Sequence, residues 1–317
     1  MPMGPLFEES TNESIRSALP DVLVRIVELS THIGDGATIA AIAVVLYWFS
    51  IEQRRVRIYI VAVGLCALGL STMLKGVIAR ERPNPEYLAF APETYSGYSF
   101  PSAHALGTAA LVTMLVITLS IGTRRQRIAV GAAVVGMVML SRVVIGVHFV
   151  GDVIVGAAIG VGLVVAFFRG FPTISPTRAF VLAIGLGIVG FALGAREHSV
   201  LVVGAATGAS FAWVFVRDHD PSPTGAAVLL LGVLSLPLLL AIRSVERLVG
   251  FGELAQYNVA TIAASYAVVT ALVVLVPVFA ERLNDWPIVV RLQSVLPFEG
   301  RRVDPVQLHP SADSRDD

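Results

Sequence analysis

The chain has 317 residues, of which 55% are apolar and 15% are charged, and its mean hydropathy is +0.77. This composition excludes an ordinary soluble domain and indicates an integral membrane protein. The formal net charge is zero, so charge gives no support to nucleic-acid binding. A single cysteine, Cys66, excludes an intrachain disulfide.

Residues 1–31 predict a helix at the membrane surface. They lack the basic stretch followed by an apolar stretch that is typical of cleaved signal peptides. Apolar residues instead recur at helical spacing among charged ones: Ile15, Leu19, Val22, Leu23, Ile26 and Leu29. We therefore expect residues 1–31 to form an interfacial amphipathic helix.

Nine apolar stretches follow, each near the ~20 residues that a helix needs to cross a bilayer. They are approximately 32–51, 57–78, 103–122, 128–148, 152–168, 178–195, 199–216, 225–242 and 259–280. The sequence thus predicts an all-α, polytopic membrane protein with a polar C-terminal tail, residues 281–317. Arginines are denser in one set of connecting loops and in the tail, which predicts that this face and the C-terminus are cytoplasmic.

Lys75 is the sole lysine, against 22 arginines. It lies near the end of the second apolar stretch, and Arg82 follows seven residues later, a spacing that would place both on one helical face before Pro83 ends the helix. A charge inside a span indicates function by default. Snorkelling of the lysine to the interface is the structural alternative.

The third apolar stretch begins with Pro101, Ser102, Ala103 and His104. Serine is a favoured N-cap, and the free amides of a first helical turn attract an anion. A capped helix start beside an incidental histidine is the structural alternative.

Arg142, His148 and Asp152 lie where the fourth stretch ends. The spacing of four between His148 and Asp152 would set a carboxylate beside an imidazole on a helical face, as expected for an oriented nucleophile or base. A structural histidine–aspartate pair is the alternative. The three segments fall at span ends on one membrane face, and their joint chemistry suits a phosphate group held at the water interface.

These residues resemble the three-part signature of the type-2 phosphatidic acid phosphatase superfamily, which reads K-x6-R-P, P-S-G-H and S-R-x5-H-x3-D. Here the blocks are Lys75 with Arg82 and Pro83, then Pro101–His104, then Ser141 and Arg142 with His148 and Asp152. Every spacing within the blocks matches, and one residue departs: Ala103 stands where the family usually has glycine. An alanine keeps the backbone amide, but it would be strained if the position needs a positive φ.

The resemblance implies a catalytic helical core over about residues 32–170 and a role for each matching residue. His148 would be the nucleophile that forms a phosphohistidine, Asp152 would orient it, and His104 would protonate the leaving oxygen and then activate water. The phosphate would be bound by Lys75, Arg82, Ser102, the amide of Ala103, and Arg142. This chemistry implies no cofactor, and the motif histidines are not spaced like a zinc site.

The resemblance further implies a lipid phosphate as substrate: phosphatidic acid, phosphatidylglycerol phosphate or a polyprenyl diphosphate. The site would face the extracytoplasmic side of the cell membrane, with the loop 81–100 as a lid or entrance. The sequence does not choose an oligomeric state or a role for the additional membrane region, residues 171–280. Transfer of the phosphoryl group to an alcohol, or anion transport or binding without catalysis, are the alternatives.

Overall fold

A computed structural model of the protein describes residues 4–49, 54–88, 97–170, 174–219, 221–235 and 259–296, and the regular elements among them are all helices. The α-helices are α1 Glu9–Ser17, α2 Asp21–Ser30, α3 Gly36–Phe49, α4 Arg54–Ile78, α5 Ala103–Thr118, α6 Arg124–Ile145, α7 Val150–Arg169, α8 Pro176–Ala192, α9 Arg196–Val216, α10 Gly225–Ser235, α11 Val259–Glu281 and α12 Pro287–Val295. Three short 3₁₀ turns are Pro5–Phe7, Thr31–Gly34 and Pro85–Tyr87.

In the described part of the chain, five helices are long and apolar enough to cross a membrane: Arg57–Ile78, Arg124–Ile145, Val150–Arg169, His198–Val216 and Val259–Glu281. A sixth crossing is possible if Asp21–Gly34 and Gly36–Phe49, which meet at a bend of 53°, form one broken span. The predicted count of nine is not confirmed. Helices α5, α8 and α10 are apolar but shorter than a full crossing, and residues 236–258 lie outside the described part of the chain.

Helix α4 ends at Ile78, earlier than the sequence predicts. Ala79 adopts a positive φ of 47°, and its amide donates to the Lys75 carbonyl, which closes the last turn of the helix. The prediction that Lys75 and Arg82 share one helical face, with Pro83 as the stop, was therefore wrong. Arg82 lies in the segment that follows the helix.

The segment between α6 and α7 also differs from the predicted continuous helical face. Helix α6 ends at Ile145, because Gly146 takes a left-handed conformation with a φ of 87°. Glycine suits this position for a second reason, since a side chain there would meet the Tyr87 carbonyl. His148 thus precedes the first turn of α7, and Asp152 lies within that turn. The two residues therefore lie on either side of the helix start rather than on one continuous helical face.

Two glycines of α7 let it approach α5 closely. A side chain on Gly156 would lie 2.8 Å from the Ser102 carbonyl oxygen, and one on Gly160 would overlap the Leu106 carbonyl oxygen. The Ser102 amide also donates to the Asp152 carbonyl at 3.1 Å. Small residues therefore bring the start of α5 against the start of α7, as is common where helices pack in membranes.

The chain divides into two compact units. The first comprises residues 1–220 and 238–275 and contains all three sequence blocks. In it, α8 packs along α4 and α9, and Cys66 is buried with its thiol donating to the Ala179 carbonyl. In the second unit, backbone amides of Ser222 and Thr224 donate to the side chains of Glu281 and Asn284.

Candidate active site

The imidazole of His148 lies beside the carboxylate of Asp152, with 3.4 Å between Nδ1 and Oδ2. Both side chains are buried. The same carboxylate oxygen accepts hydrogen bonds from the Phe149 amide, at 3.0 Å, and from the hydroxyl of buried Ser99. Asp152 is therefore fixed by the helix start and by Ser99, and it engages Nδ1 so that Nε2 is the ring nitrogen left for chemistry.

His148 lies in the segment between α6 and α7, and burial lowers its pKa well below the ordinary value of 6.5. The positive charges of Arg142, Arg82 and Lys75, with His104, lower the pKa further. The charges act on His148 because the fold brings the three blocks together. Its imidazole is consequently neutral at neutral pH, the form in which nitrogen can act as a nucleophile.

Arg142 lies in the last turn of α6, and only part of its guanidinium group has a hydrogen-bond partner among the described residues. Its Nη1 donates to the hydroxyl of Thr31 at 2.6 Å, whereas its buried Nε has no hydrogen-bond partner among the described residues. A buried guanidinium donor without a partner is costly unless a ligand completes it. Arg82 donates from Nη1 to the Val147 carbonyl at 3.0 Å and so also supports the backbone just before His148.

Arg80 is a further cation near this centre that the sequence blocks do not include. Its positive charge acts on Asp152, and its guanidinium carbon lies 3.9 Å from the ring centroid of Phe7. Its Nη1 is buried without a hydrogen-bond partner among the described residues. The side chain is therefore stacked on the N-terminal segment.

Ser102 is the N-cap of α5, as predicted, and its buried hydroxyl accepts from the Ala105 amide at 3.5 Å. Ala103 is the first residue of the helix. Among the described residues Ala79 is the non-glycine residue with a positive φ, so Ala103 carries no such strain. The backbone reason for a glycine at this position does not apply here.

His104 has a partner that the signature does not contain. Its Nε2 lies 3.0 Å from Oδ1 of Asp35, while the other oxygen of that carboxylate, Oδ2, lies 2.8 Å from Nδ1 of His32. Asp35 sits between the turn Thr31–Gly34 and α3. The first apolar stretch therefore begins beside the second sequence block.

Sequence reasoning assigned no site role to four residues that the fold places here: Asn12, Thr31, Asp35 and Ser99. Asn12 is buried, and its amide nitrogen donates to the His148 carbonyl at 2.9 Å. Short polar residues near helix ends are common, so the sequence carried no signal that would single out these four.

Part of the predicted entrance loop lies outside the described residues, namely 89–96. Of the loop aromatics, Tyr87 is exposed and its carbonyl accepts from Arg16 at 3.1 Å. Helix α1 therefore reaches the described part of this loop.

The arrangement combines a neutral, oriented imidazole, a second histidine held by a carboxylate, and three cations around them. Such a set can attack phosphorus, transfer a proton and neutralise charge on phosphate oxygens. In the described residues no group of three or more histidine, cysteine, aspartate or glutamate side chains is placed to hold a metal ion.

Comparison with known proteins agrees with this chemistry. The family described as the PAP2 superfamily matches residues 55–176. A decaprenylphosphoryl-5-phosphoribose phosphatase of Mycobacterium tuberculosis is 30% identical over 161 residues, which is 50% of this chain and 86% of that protein. The phosphatase of the same name from Mycolicibacterium smegmatis is 32% identical over 157 residues, 48% of this chain and 83% of that protein.

A solved structure, a transmembrane PAP2-type phosphatidylglycerolphosphate phosphatase from Bacillus subtilis, is 26% identical. It overlaps 52% of this chain and 85% of its own length with a TM-score of 0.43. The family match and the extent of the mycobacterial relatives decide the assignment: this chain belongs to the PAP2 superfamily of membrane phosphatases.

Proposed function

We propose that the protein hydrolyses the phosphomonoester or diphosphate of a membrane lipid through a phosphohistidine formed on His148. The observation that carries the proposal is the buried pair of His148 and Asp152, at 3.4 Å, with the unpartnered Nε of Arg142 nearby in the same charge cluster. A neutral nucleophile beside donors without partners is the arrangement that phosphoryl transfer requires.

In the first half-reaction, Nε2 of His148 would form a bond to phosphorus while the bond to the lipid oxygen breaks. Asp152 would stabilise the ring as positive charge develops on it. Lys75, Arg82 and Arg142 would bind the phosphate oxygens, together with the Ser102 hydroxyl and the Ala103 amide. In the second half-reaction, water would attack phosphorus and the bond to His148 would break.

Two features support a lipid as the substrate. The site lies at helix ends, and the described residues include five helices, or six counting the bent pair, that could cross a membrane; this suits a headgroup at the bilayer surface. The relatives from Mycobacterium and Mycolicibacterium are named for decaprenylphosphoryl-5-phosphoribose, a phosphosugar carried on a polyprenyl lipid. We therefore propose a polyprenyl-linked phosphate as the first substrate to test. We also propose that the site faces the extracytoplasmic side, which the distribution of arginines in the loops supports.

The test is release of inorganic phosphate by the purified full chain in detergent, with excess chelator. The panel comprises decaprenylphosphoryl-5-phosphoribose, a polyprenyl diphosphate, phosphatidic acid, phosphatidylglycerol phosphate and a soluble phosphomonoester. His148→Ala should lower kcat by about 10³-fold or more, because a nucleophile and the groups around it act as a unit. His219→Ala, on the exposed segment after α9, is the matched control.

Trapping identifies the intermediate. Rapid quenching of wild-type protein with radiolabelled substrate should yield a protein label that is stable to base and labile to acid, as a phosphohistidine is, and His148→Ala should yield none. Equal phosphate release by His148→Ala and wild type would refute the proposal. Transfer of phosphate to an added alcohol in place of water would identify a phosphotransferase.

A further inference from the structure

Five consecutive residues outside the three sequence blocks, Thr31–Asp35, contact the site at three points. We call them the buttress segment. The Thr31 hydroxyl accepts from Arg142, and Asp35 lies against His104. A side chain on Gly34 would come within 3.2 Å of Cβ and Cδ2 of His104, so the turn packs directly on the imidazole. The family match begins at residue 55 and does not include this segment.

The two histidines of the site are held by carboxylates through opposite ring nitrogens. Asp152 engages Nδ1 of His148, which leaves Nε2 for attack on phosphorus. Asp35 engages Nε2 of His104, which leaves Nδ1 as the nitrogen for proton transfer. In each pair the carboxylate selects the tautomer and the orientation of the ring.

We propose that Asp35 is a positioning residue that holds His104 with Nδ1 toward the phosphate, and that it thereby controls protonation of the leaving oxygen. This inference rests on the proposed function and adds to it a second aspartate–histidine pair. The geometric basis is the 3.0 Å contact and the packing of Gly34 on the ring.

The proton balance follows from this geometry. The step starts with His104 protonated at both ring nitrogens, the cationic form that the Asp35 carboxylate and a bound phosphate anion both favour. As His148 Nε2 bonds to phosphorus and the phosphorus–oxygen bond breaks, the proton on His104 Nδ1 passes to the leaving oxygen. His104 is then neutral, and its Nε2–H is still donated to Asp35. When water attacks phosphorus, the electron pair of the breaking bond returns to His148 and the water proton goes to His104 Nδ1, which restores the starting state.

Two substrates that differ in their leaving group can distinguish a role of Asp35 in proton transfer from a purely structural role. An alkoxide leaves only with a proton, whereas a nitrophenolate is a stable anion and leaves without one. The probes are dodecyl phosphate and a nitrophenyl phosphate that carries the same dodecyl chain, so both present similar apolar surface to the protein. A variant that merely unfolds part of the protein lowers turnover of both probes equally.

The variants are Asp35→Asn, Asp35→Glu and a control, Asp21→Asn, which makes the same chemical change on the exposed start of α2. We expect Asp35→Asn to lower kcat for dodecyl phosphate by about 10²-fold, since general acid catalysis contributes 10²- to 10⁴-fold. We expect less than about 5-fold for the nitrophenyl probe, with KM little changed. Asp35→Glu should recover part of the loss, because it keeps the carboxylate.

The ratio of the two rates is independent of the fraction of folded protein, so it decides the question even if Asp35→Asn is unstable. Equal losses for both probes, or no loss for dodecyl phosphate, would overturn the role of Asp35 while leaving the phosphatase intact. Wild-type protein that releases no phosphate from either probe would overturn the proposed function, and with it this inference.

Discussion

The neutral imidazole of His148 links the chemistry of one residue to the stability of the fold. Burial and the neighbouring cations lower its pKa well below 6.5, whereas in the unfolded chain the ordinary value returns. Below about pH 6.5 the unfolded state therefore binds a proton that the folded state does not. By linkage, the free energy of unfolding falls as the pH falls through this range.

Thermal unfolding in detergent, in phosphate-free buffer, measures this contribution. Between pH 7 and pH 5 the wild-type protein should lose more stability than His148→Gln, which has no group to titrate at this position. The difference between the two curves isolates His148 from the other groups that titrate in the same range. Parallel curves for the two proteins would contradict the lowered pKa.

The carboxylate of Asp152 is held in place against His148 by hydrogen bonds from two other residues. Ser99 and the Phe149 amide both donate to the oxygen that faces His148, so the carboxylate cannot turn away from the ring. Ser99 is in turn held by its own amide, which donates to the Arg80 carbonyl at 2.8 Å. Ser99, two residues before the second block, thus supports the aspartate of the third block.

Among the elements, the packing of α5 on α7 determines the distance between the two histidines. Helix α5 begins with the second block and α7 with the third, and glycines of α7 allow their backbones to touch. Replacement of Gly160 would force the helices apart, because an added methyl group has no space beside the Leu106 carbonyl.

We expect Gly160→Ala to destabilise the protein by about 1–3 kcal/mol and to lower kcat, since overpacking shifts backbone. Gly162→Ala is the control on the same helix, because a side chain there meets nothing within 4 Å. That change should be neutral or stabilising by up to about 1 kcal/mol. Thermal unfolding and phosphate release measure both effects, and identical behaviour of the two variants would argue against tight α5–α7 packing.

Helix α1 is the second element with a direct contact to the site. Asn12 donates to the His148 carbonyl. In the 3₁₀ turn just before α1, Phe7 packs where a side chain on Gly151 would stand. Helix α2, the next helix in the chain, exposes four apolar side chains: Val22, Leu23, Ile26 and Leu29. The amphipathic pattern of residues 1–31 is thus divided between one helix that covers the site and one whose exposed apolar face suits a membrane surface.

For the whole molecule, repulsion among the positive charges of Lys75, Arg82 and Arg142 lowers the stability of the fold, and we expect a bound anion to offset it. All three positive charges act on the buried imidazole of His148, and a phosphate group at the proposed site would place negative charge among them. A ligand that binds only the folded protein stabilises it by about 2.7 kcal/mol at 100 times its Kd. We therefore expect an anion that binds this cluster to stabilise the folded protein.

Inorganic orthophosphate should accordingly raise the Tm of the full chain in detergent, relative to chloride at equal ionic strength. Arg142→Gln should abolish most of the shift in Tm, because the variant lacks the buried Nε donor of Arg142, which has no hydrogen-bond partner among the described residues. Arg124→Gln, at the exposed start of the same helix, should retain it. A shift that persists unchanged in Arg142→Gln would place the anion elsewhere.

Composition and spacing by themselves determined the membrane class, the all-helical fold and the three blocks, because apolar length and short-range motifs are local properties of a chain. They did not determine where helices end. Ala79 and Gly146 take positive φ and stop α4 and α6 early. Arg82 therefore lies beyond the end of α4, and His148 precedes α7.

Only the tertiary structure decided which distant polar residues complete the site. Asp35 reaches His104 across 69 residues, and Asn12 reaches His148 across 136. No periodicity or motif encodes such contacts, since they arise where α1, the buttress segment and α5–α7 converge. The reason is physical: a local pattern sets the face and length of a helix, whereas close packing of several helices sets which buried polar groups become partners.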